Sequence, residues 1–177
     1  MNRIKPCTGF GPEGGAKLFA ESARSGVDIV KDDELLGNPH FNPLAARVAA
    51  YRRAADQVLA ATGHRAIYCA NITDSPERMI ENGHRAQELG AGIVMVNAVN
   101  TGLGIVQALA EDKNFALPIL THYAGFGTLT ESPCSGISSP LLRTQGMAAG
   151  QAPPAQSRRR RTTRQRLKPA VRHAVGM

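Results

Sequence analysis

Short apolar runs alternate with longer helix-like runs over residues 1 to about 125, and this alternation constrains the fold more than any other feature. Five runs rich in Val, Ile and similar residues predict β-strands over 3–8, 27–33, 66–72, 92–99 and 118–123. Four runs with helical periodicity predict helices over 14–24, 43–62, 75–89 and 102–112. Strands that alternate with helices predict an α/β fold with a parallel sheet buried on both faces.

Two architectures contain such βαβ units, an open doubly wound sheet and a closed TIM (β/α)8 barrel. A barrel uses roughly 250 residues for eight units, about 31 residues for each. Residues 1–143 then hold about four to five units, which agrees with the five predicted strands. We expect a partial TIM (β/α)8 barrel of about five βα units, with the open sheet as the alternative.

The excess of basic over acidic residues lies entirely in the C-terminal part of the chain. The net charge is +7, yet residues 144–177 contain eight Lys or Arg and no acid, which leaves 13 basic and 14 acidic residues in 1–143. Residues 144–177 also have few large apolar side chains, a composition typical of disorder. We predict a barrel domain over 1–143 and a disordered Arg-rich tail over 144–177. Because no aromatic residues are interleaved with the arginines, we expect no nucleic-acid partner.

Composition excludes several classes of protein. No apolar run approaches the roughly 20 residues that span a bilayer, so no membrane partner is expected. The N-terminus has no apolar stretch of signal-peptide length. The three cysteines are widely spaced, without a CxxC pair, which argues against a disulfide framework and a structural zinc site. These features predict a cytoplasmic protein.

A lysine and three carboxylates, Lys31–Glu34, end the second predicted strand. Side chains alternate along a strand, so Lys31 and Asp33 point to one face, Asp32 points to the other, and Glu34 lies just past the strand end. Two carboxylates suit Mg²⁺, and a neutral buried lysine can react with CO₂ to give a carbamate, an additional anionic ligand. Spacing alone still favours an ordinary polar strand end over a metal site.

The other predicted strands also carry polar residues near their ends. Strand one contains Lys5 and strand five contains His122. Lys5 can hold an anionic oxygen, and His122 can transfer protons near neutral pH. Strands three and four end in Asn71, Thr73, Asn97 and Asn100. Because active sites of α/β proteins form at the carboxyl ends of parallel strands, these residues are candidates for one site.

A competing motif lies in the first loop. Gly9, Gly11 and Gly14 form a GxGxxG pattern after a predicted strand, with acidic residues about 20 positions later, as in dinucleotide-binding folds. Against this hypothesis, Lys5 and Pro6 interrupt the strand, which that fold requires to be apolar. A dinucleotide-binding domain that uses Gly9–Gly14 remains the third alternative for function.

The chain resembles the catalytic barrel of the RuBisCO large subunit and of RuBisCO-like proteins. The resemblance covers about residues 2–142, and the motifs that carry it are "IKP" (4–6), "GVDIVKDDE" (26–34), "YCANIT" (68–73), "THYAG" (121–125) and "ESPCSGISSPLL" (131–142). It implies a partial TIM barrel in which a carbamylated Lys31, Asp33 and Glu34 bind Mg²⁺ at the end of strand two.

The resemblance also implies a chemistry. It predicts Mg-dependent enolisation of a phosphorylated ketose-like substrate by an enolase, isomerase or decarboxylase. Lys5, Lys31 and His122 would be the catalytic residues, and Lys5, Asn71 and His122 would contact the substrate. The complete family forms its active site across a homodimer.

Departures from the family pattern limit what the resemblance implies. Cys7 stands where carboxylases have a second lysine, and Tyr123 stands where they have an arginine. Both changes remove a cationic partner of a phosphate and argue against CO₂ fixation. The N-terminal domain, the loop-six lysine and the Gly-rich phosphate-binding loops of the family are not found in the sequence. A truncated, non-catalytic remnant is therefore the second alternative for function.

Overall fold

The computed structural model describes residues 1–131, 133–134 and 136–149. Five β-strands occur in this part of the chain: β1 Asn2–Arg3, β2 Ile29–Lys31, β3 Ile67–Asn71, β4 Ile93–Asn97 and β5 Ile119–His122. Seven helices occur in it: α1 Pro12–Arg24, α2 Leu44–Thr62, α3 Pro76–Glu88, α4 Ala98–Thr101, α5 Leu103–Glu111, α6 Phe126–Thr130 and α7 Ser139–Ala149. A helix or helices follow each strand, as the alternating sequence pattern predicts.

All five strands are parallel and form one sheet in the order β1-β2-β3-β4-β5. Each strand therefore pairs with the next in sequence; in the register Val30 lies beside Tyr68, and Ala70 lies beside Val94. A dinucleotide-binding fold places its first strand inside the sheet, where the strand order reverses. In this protein β1 lies at the end of the order, so the dinucleotide-binding alternative at Gly9–Gly14 is wrong.

The apolar side chains form two separate clusters, one on each face of the sheet. Neighbouring residues Ile29 and Val30 belong to different clusters because side chains alternate along a strand. The larger cluster lies between the sheet and the helices and includes Phe19, Val48, Ile72 and Val94. The smaller cluster lies on the opposite face and consists of Ile29, Cys69, Ile93, Met95 and Leu120. The sheet is thus buried on both faces, as predicted.

Local sequence signals place the main helices. Helices α1 and α3 each have proline in the first turn, where its missing N–H needs no partner, and an acidic residue that complements the helix dipole. Helix α2 ends at Gly63, whose φ of 71° is left-handed and favours glycine. The observed bounds of α1, α2 and α3 lie within a few residues of the predicted ones.

The first strand is shorter than predicted. Strand β1 ends at Arg3, so Lys5 lies in the loop after the strand and not within it. The N–H of Ile4 still donates to the carbonyl of Lys31 at 3.0 Å, but Pro6 has no N–H with which to continue the pairing. The prediction that strand one extends over 3–8 is therefore wrong, although Lys5 remains at the same end of the sheet.

The C-terminal boundary also differs from the prediction. Helix α7 continues to Ala149 and contacts α5 and α6, whereas the tail was expected to begin at residue 144. Residues 144–149 thus belong to α7, and the rest of the predicted tail, 150–177, lies outside the described residues. In the part of the chain that the structure describes, no helix is both long and apolar enough to cross a membrane.

A substitution at Gly15 of α1 can test how closely α1 packs against α2. A Cβ at this position would overlap the hydroxyl of Tyr51, which is fully buried, and would lie 2.8 Å from Tyr51 Cζ. Gly15→Ala should therefore lower the free energy of unfolding by about 1–3 kcal/mol, measured by urea denaturation. Gly104→Ala is the control, because its Cβ would meet no atom within 4 Å and alanine favours a helix by up to about 1 kcal/mol. Equal urea midpoints for the two variants would contradict the packing described here.

Candidate functional site

The predicted site residues meet at the carboxyl end of the sheet. Lys5 follows β1, Lys31 ends β2, and His122 ends β5. Lys5 forms an ion pair with the buried carboxylate of Asp33. Glu34 Oε2 lies 3.4 Å from Lys31 Nζ and 3.9 Å from His122 Nε2. Residues distant in sequence therefore form one cluster, because parallel strands bring their carboxyl ends to the same edge.

Glu34 is surrounded by basic side chains. Its Oε1 lies 3.2 Å from Arg3 Nη1, and its Oε2 is shared between Lys31 and His122. Partial burial opposes ionisation of Glu34, but its own backbone N–H and the charges of Lys31, His122 and Arg3 outweigh this effect and lower its pKa to about 2. Glu34 is therefore a carboxylate over the whole physiological pH range.

Arg3 is a site residue that the sequence analysis missed. The signal that could have found it is spacing, since Arg3 lies two positions before Lys5 and alternation places both side chains on the same side. Its side chain is 48% exposed, and Lys5 is exposed to a similar degree. Both carboxylates of the site thus face a cation that reaches in from solvent.

The side chain of Lys31 lies on the face of the sheet that carries the smaller apolar cluster. Its side chain is 7% exposed, Nζ donates to the carbonyl of Asp32 at 2.9 Å, and Nζ lies 3.5 Å from Met95 Sδ. The side chain of Asp32 points to the opposite face, where it contacts Arg47 of α2. The alternation predicted for Lys31, Asp32 and Asp33 is therefore confirmed.

Two asparagines hold the backbone of the segment that carries the carboxylates. Asn71 Nδ2 donates to the carbonyls of Asp33 and Glu34 at 3.1 and 3.0 Å, and Asn97 Nδ2 donates to the Glu34 carbonyl at 2.7 Å. Asn71 Oδ1 accepts from the N–H and the hydroxyl of Thr73. The predicted contact between Asn71 and substrate would require one of these bonds to break, because Asn71 is fully buried.

His122 has a defined tautomer. Its Nδ1 accepts a hydrogen bond from the backbone N–H of Ala124 at 3.1 Å, so the neutral ring carries its proton on Nε2, which faces Glu34. Burial and the nearby charge of Lys31 lower the pKa of His122, which favours this neutral form. The ring is stacked on Tyr123, with ring centroids 4.9 Å apart and an interplanar angle of 11°. His122 therefore presents a hydrogen-bond donor to the site.

The donor set of the cluster suits a hard cation. Asp33 and Glu34 supply carboxylate oxygens, the ligands that Mg²⁺ prefers, and the buried Oδ1 of Asn97 has no hydrogen-bond partner among the described residues. Within those residues, no group of three or more His, Cys, Asp and Glu side chains is arranged to hold a metal. A carbamate on Lys31 would add the missing anionic oxygen beside Glu34.

Sequence comparison places this chain among known proteins. A ribulose bisphosphate carboxylase-like protein of Archaeoglobus fulgidus is 43% identical over 141 residues, which are 80% of this chain and 32% of that protein. A 2,3-diketo-5-methylthiopentyl-1-phosphate enolase of Bacillus cereus is 39% identical over 122 residues, 69% of this chain and 30% of that enzyme. The chain spans about a third of the length of these relatives.

Comparison with solved structures agrees. A rubisco-like protein from Alicyclobacillus acidocaldarius superposes with a TM-score of 0.80 at 37% identity, covering 86% of this chain and 39% of that one. The octameric ribulose-1,5-bisphosphate carboxylase/oxygenase of Pyrococcus horikoshii superposes with a TM-score of 0.79 at 28% identity, covering 85% and 36%. With the five-stranded parallel sheet, these likenesses confirm the predicted partial (β/α)8 barrel.

The family itself is identified by a match over most of the chain. Residues 2–150 match the family described as the ribulose bisphosphate carboxylase large chain, catalytic domain. This range contains every residue of the cluster described above, and the resemblance carried by the "IKP" and "GVDIVKDDE" motifs is confirmed. The similar proteins described above include RuBisCO-like proteins. The chain therefore belongs to the RuBisCO large-chain catalytic-domain family.

Proposed function

We propose that this chain carries the metal site of a RuBisCO-like enzyme that enolises a phosphorylated ketose-like substrate. The observation that carries the proposal is the convergence of Lys31, Asp33 and Glu34 with Lys5 and His122 at one end of the sheet. The name of the enolase relative from Bacillus cereus supports enolisation as the reaction. Isomerases and decarboxylases of the same substrate class would use the same enolate.

Lys31, Asp33 and Glu34 would hold the metal. The deprotonated amine of Lys31 would attack the carbon of CO₂ through its nitrogen lone pair; an N–C bond would form, one C=O π bond would open, and a proton would leave to solvent. The product would be an anionic carbamate at the position where Nζ contacts Glu34. Mg²⁺ bound there would polarise a substrate carbonyl and stabilise the negative charge of an enolate.

Lys5 and His122 would act on the substrate. Lys5 is half exposed, and once Asp33 binds a cation its ammonium group is free to hold an anionic oxygen of the substrate. His122 Nε2–H faces Glu34 and can donate a hydrogen bond to a substrate oxygen bound there. Both groups favour the charged form of the oxygen over the neutral carbonyl, which is how enzymes promote proton removal at the neighbouring carbon.

Two substitutions favour a reaction other than CO₂ fixation. Cys7 and Tyr123 replace cationic residues of the carboxylases, so a second phosphate group would lack its partners. Tyr123 is 57% exposed and stacks on His122, where it offers an aromatic surface and not a charge. A substrate with a single phosphate and a less polar opposite end fits this arrangement.

The proposal extends to assembly and location. A RuBisCO of Hyperthermus butylicus is described as dimeric, and we propose that this chain also acts within a homodimer, as the family resemblance implies. Cys7 and Cys69 are thiols and not disulfides, which supports the proposal of a reducing, cytoplasmic location.

Carbamylation should link metal affinity to bicarbonate. An additional anion about 4 Å from a cation is worth about 1–4 kcal/mol at the surface of a protein, so bicarbonate should strengthen Mg²⁺ binding by roughly fivefold or more. Isothermal titration with Mg²⁺, with and without bicarbonate, measures this effect. Lys31→Ala should abolish it, whereas Asp33→Ala should weaken binding under both conditions. The control is Lys17→Ala on the exposed face of α1, and equal wild-type affinities under both conditions would remove the carbamate from the proposal.

Glu34 should make stability depend on pH. Its pKa in the folded chain, about 2, is lower than its ordinary value of 4.5, so the ionised group stabilises the folded state above about pH 4.5. This contribution is lost as the pH falls toward 2. The difference in unfolding free energy between wild type and Glu34→Gln should thus be constant above about pH 5 and shrink below it, as measured by urea denaturation. Glu77→Gln, at an exposed position of α3, serves as the control, and a difference that stays constant down to about pH 3 contradicts the assignment.

Enolisation itself can be tested by hydrogen exchange at carbon. In D₂O with Mg²⁺ and bicarbonate, we expect the chain to catalyse loss of the proton next to the carbonyl of a phosphorylated ketose or 2,3-diketone, followed by ¹H NMR. Asp33→Asn should abolish this exchange, whereas Asp56→Asn, which alters only an exposed pair with Arg52, should not. Positioning of the substrate can contribute about 7–11 kcal/mol, so a chain that loads metal without catalysing exchange is the non-catalytic remnant considered above.

A further inference from the structure

One of the largest fully buried side chains among the described residues is a charged one. Arg47 lies in helix α2, and both its side chain and its partner Asp32 have an exposed fraction of 0%. Arg47 lies on the helix-facing side of the sheet, whereas Lys31 and Asp33 point to the other side. A buried guanidinium is costly unless its donors are satisfied, so its contacts indicate what it does.

The guanidinium contacts five acceptors around the carboxyl ends of β2 and β3. Nε donates to Asp32 Oδ2 and to Tyr68 Oη, each at 3.1 Å, and Nη1 donates to the carbonyl of Asn42 at 2.6 Å. Nη2 donates to the carbonyls of Gly37 at 2.9 Å and Asn71 at 3.4 Å. Arg47 thereby fixes the loop that connects β2 to α2 at its start, its middle and its end, and ties it to β3.

These contacts reach the metal-site residues through two short routes. The first is covalent, because Asp32 lies between Lys31 and Asp33, and its Oδ2 also accepts from Tyr68 Oη at 2.7 Å and from the Asn71 N–H at 2.9 Å. The second passes through Asn71, whose side-chain amide holds the carbonyls of Asp33 and Glu34. Arg47 is therefore linked to the backbone of Lys31 and Asp33 through Asp32, and to the carbonyls of Asp33 and Glu34 through Asn71.

Fold stability alone explains this arrangement poorly. A buried ion pair often stabilises a protein no more than apolar residues of similar volume would. The planar guanidinium of an arginine instead fixes the orientation of the groups around it, because its several donors lie in one plane and each requires an acceptor in a defined position. Three of the five acceptors belong to the segment 32–42, namely two backbone carbonyls and the Asp32 carboxylate, and these set the course of the chain directly beside the site.

We propose that Arg47 is a positioning residue for the Lys31, Asp33 and Glu34 site, acting through Asp32 and Asn71 from the opposite face of the sheet. The proposal rests on the metal-binding function proposed above. Arg47 touches neither metal nor substrate; it holds the strand end in the geometry in which a carbamate on Lys31 and the two carboxylates reach the same point.

The test compares Arg47→Met with Val58→Ala, a core substitution on the same helix that leaves the hydrogen-bond network intact. Both variants should unfold at lower urea concentration than wild type. Only Arg47→Met should lose the ¹³C NMR signal of the Lys31 carbamate formed from ¹³C-bicarbonate, and its Mg²⁺ affinity should fall by about 10–100-fold, as for other groups that orient metal ligands. A purely structural role would give the two variants the same carbamate signal and affinity.

Arg47→Lys keeps the test decisive if the methionine variant does not fold. A lysine can retain the contact with Asp32 but not the full fork, so it should restore part of the carbamate signal and bind Mg²⁺ more weakly than Val58→Ala. Wild-type affinity in folded Arg47→Lys or Arg47→Met overturns the positioning role while leaving the metal site in place. Absence of both a carbamate signal and Mg²⁺ binding in wild type overturns the proposed metal site itself, and with it the role of Arg47.

Discussion

The buried pair of Arg47 and Asp32 is the interaction on which the rest of the site depends. It lies between β2 and α2, and through it the chain leaves the sheet at a fixed angle, with Asp32 held on one face and its neighbours Lys31 and Asp33 on the other. Strand β2 is only three residues long, so its own ladder cannot set the direction of the following loop. Side chains from α2 and β3 supply that direction, and the site is in this sense built from both sides of the sheet.

Much of this architecture could be predicted because it depends on local patterns. The alternation of strand and helix predicts the parallel sheet, and period-two alternation along β2 predicts that Asp32 points away from Lys31 and Asp33. The role of Arg47 could not be predicted in this way, because an arginine within a helix is usually exposed to solvent and nothing in the sequence marks this one as buried. The early end of β1 follows from Pro6, while helix α7 contacts α5 and α6, and composition alone does not reveal such contacts.

Membership of the family gives the cluster its chemical meaning, and the departures from the family narrow that meaning. Conventional RuBisCO structures and RuBisCO-like structures superpose equally well on this chain, so the fold does not separate carboxylases from enolases. Under the proposed function the two would be separated by single residues such as Cys7 and Tyr123, which would change the charge around a substrate without altering the sheet. The chain covers about a third of the length of these relatives, and the convergence of Lys5, Lys31, Asp33, Glu34 and His122 at one end of the sheet is the observation that supports an enzymatic role.

The cations around Asp33 and Glu34 bear on the order in which the proposed site would be loaded. Counting Arg3, Lys5 and Lys31 against the two carboxylates, the cluster carries one excess positive charge, which repels a divalent cation. Conversion of Lys31 to a carbamate would replace a positive charge by a negative one and reverse the sign of the whole cluster. In the proposed site, metal binding would therefore depend on prior reaction with CO₂, and Arg3 and Lys5, displaced from their carboxylates, would be available to bind an anion. The same five side chains would serve first as mutual counterions and afterwards as a receptor for a cation and an anion together.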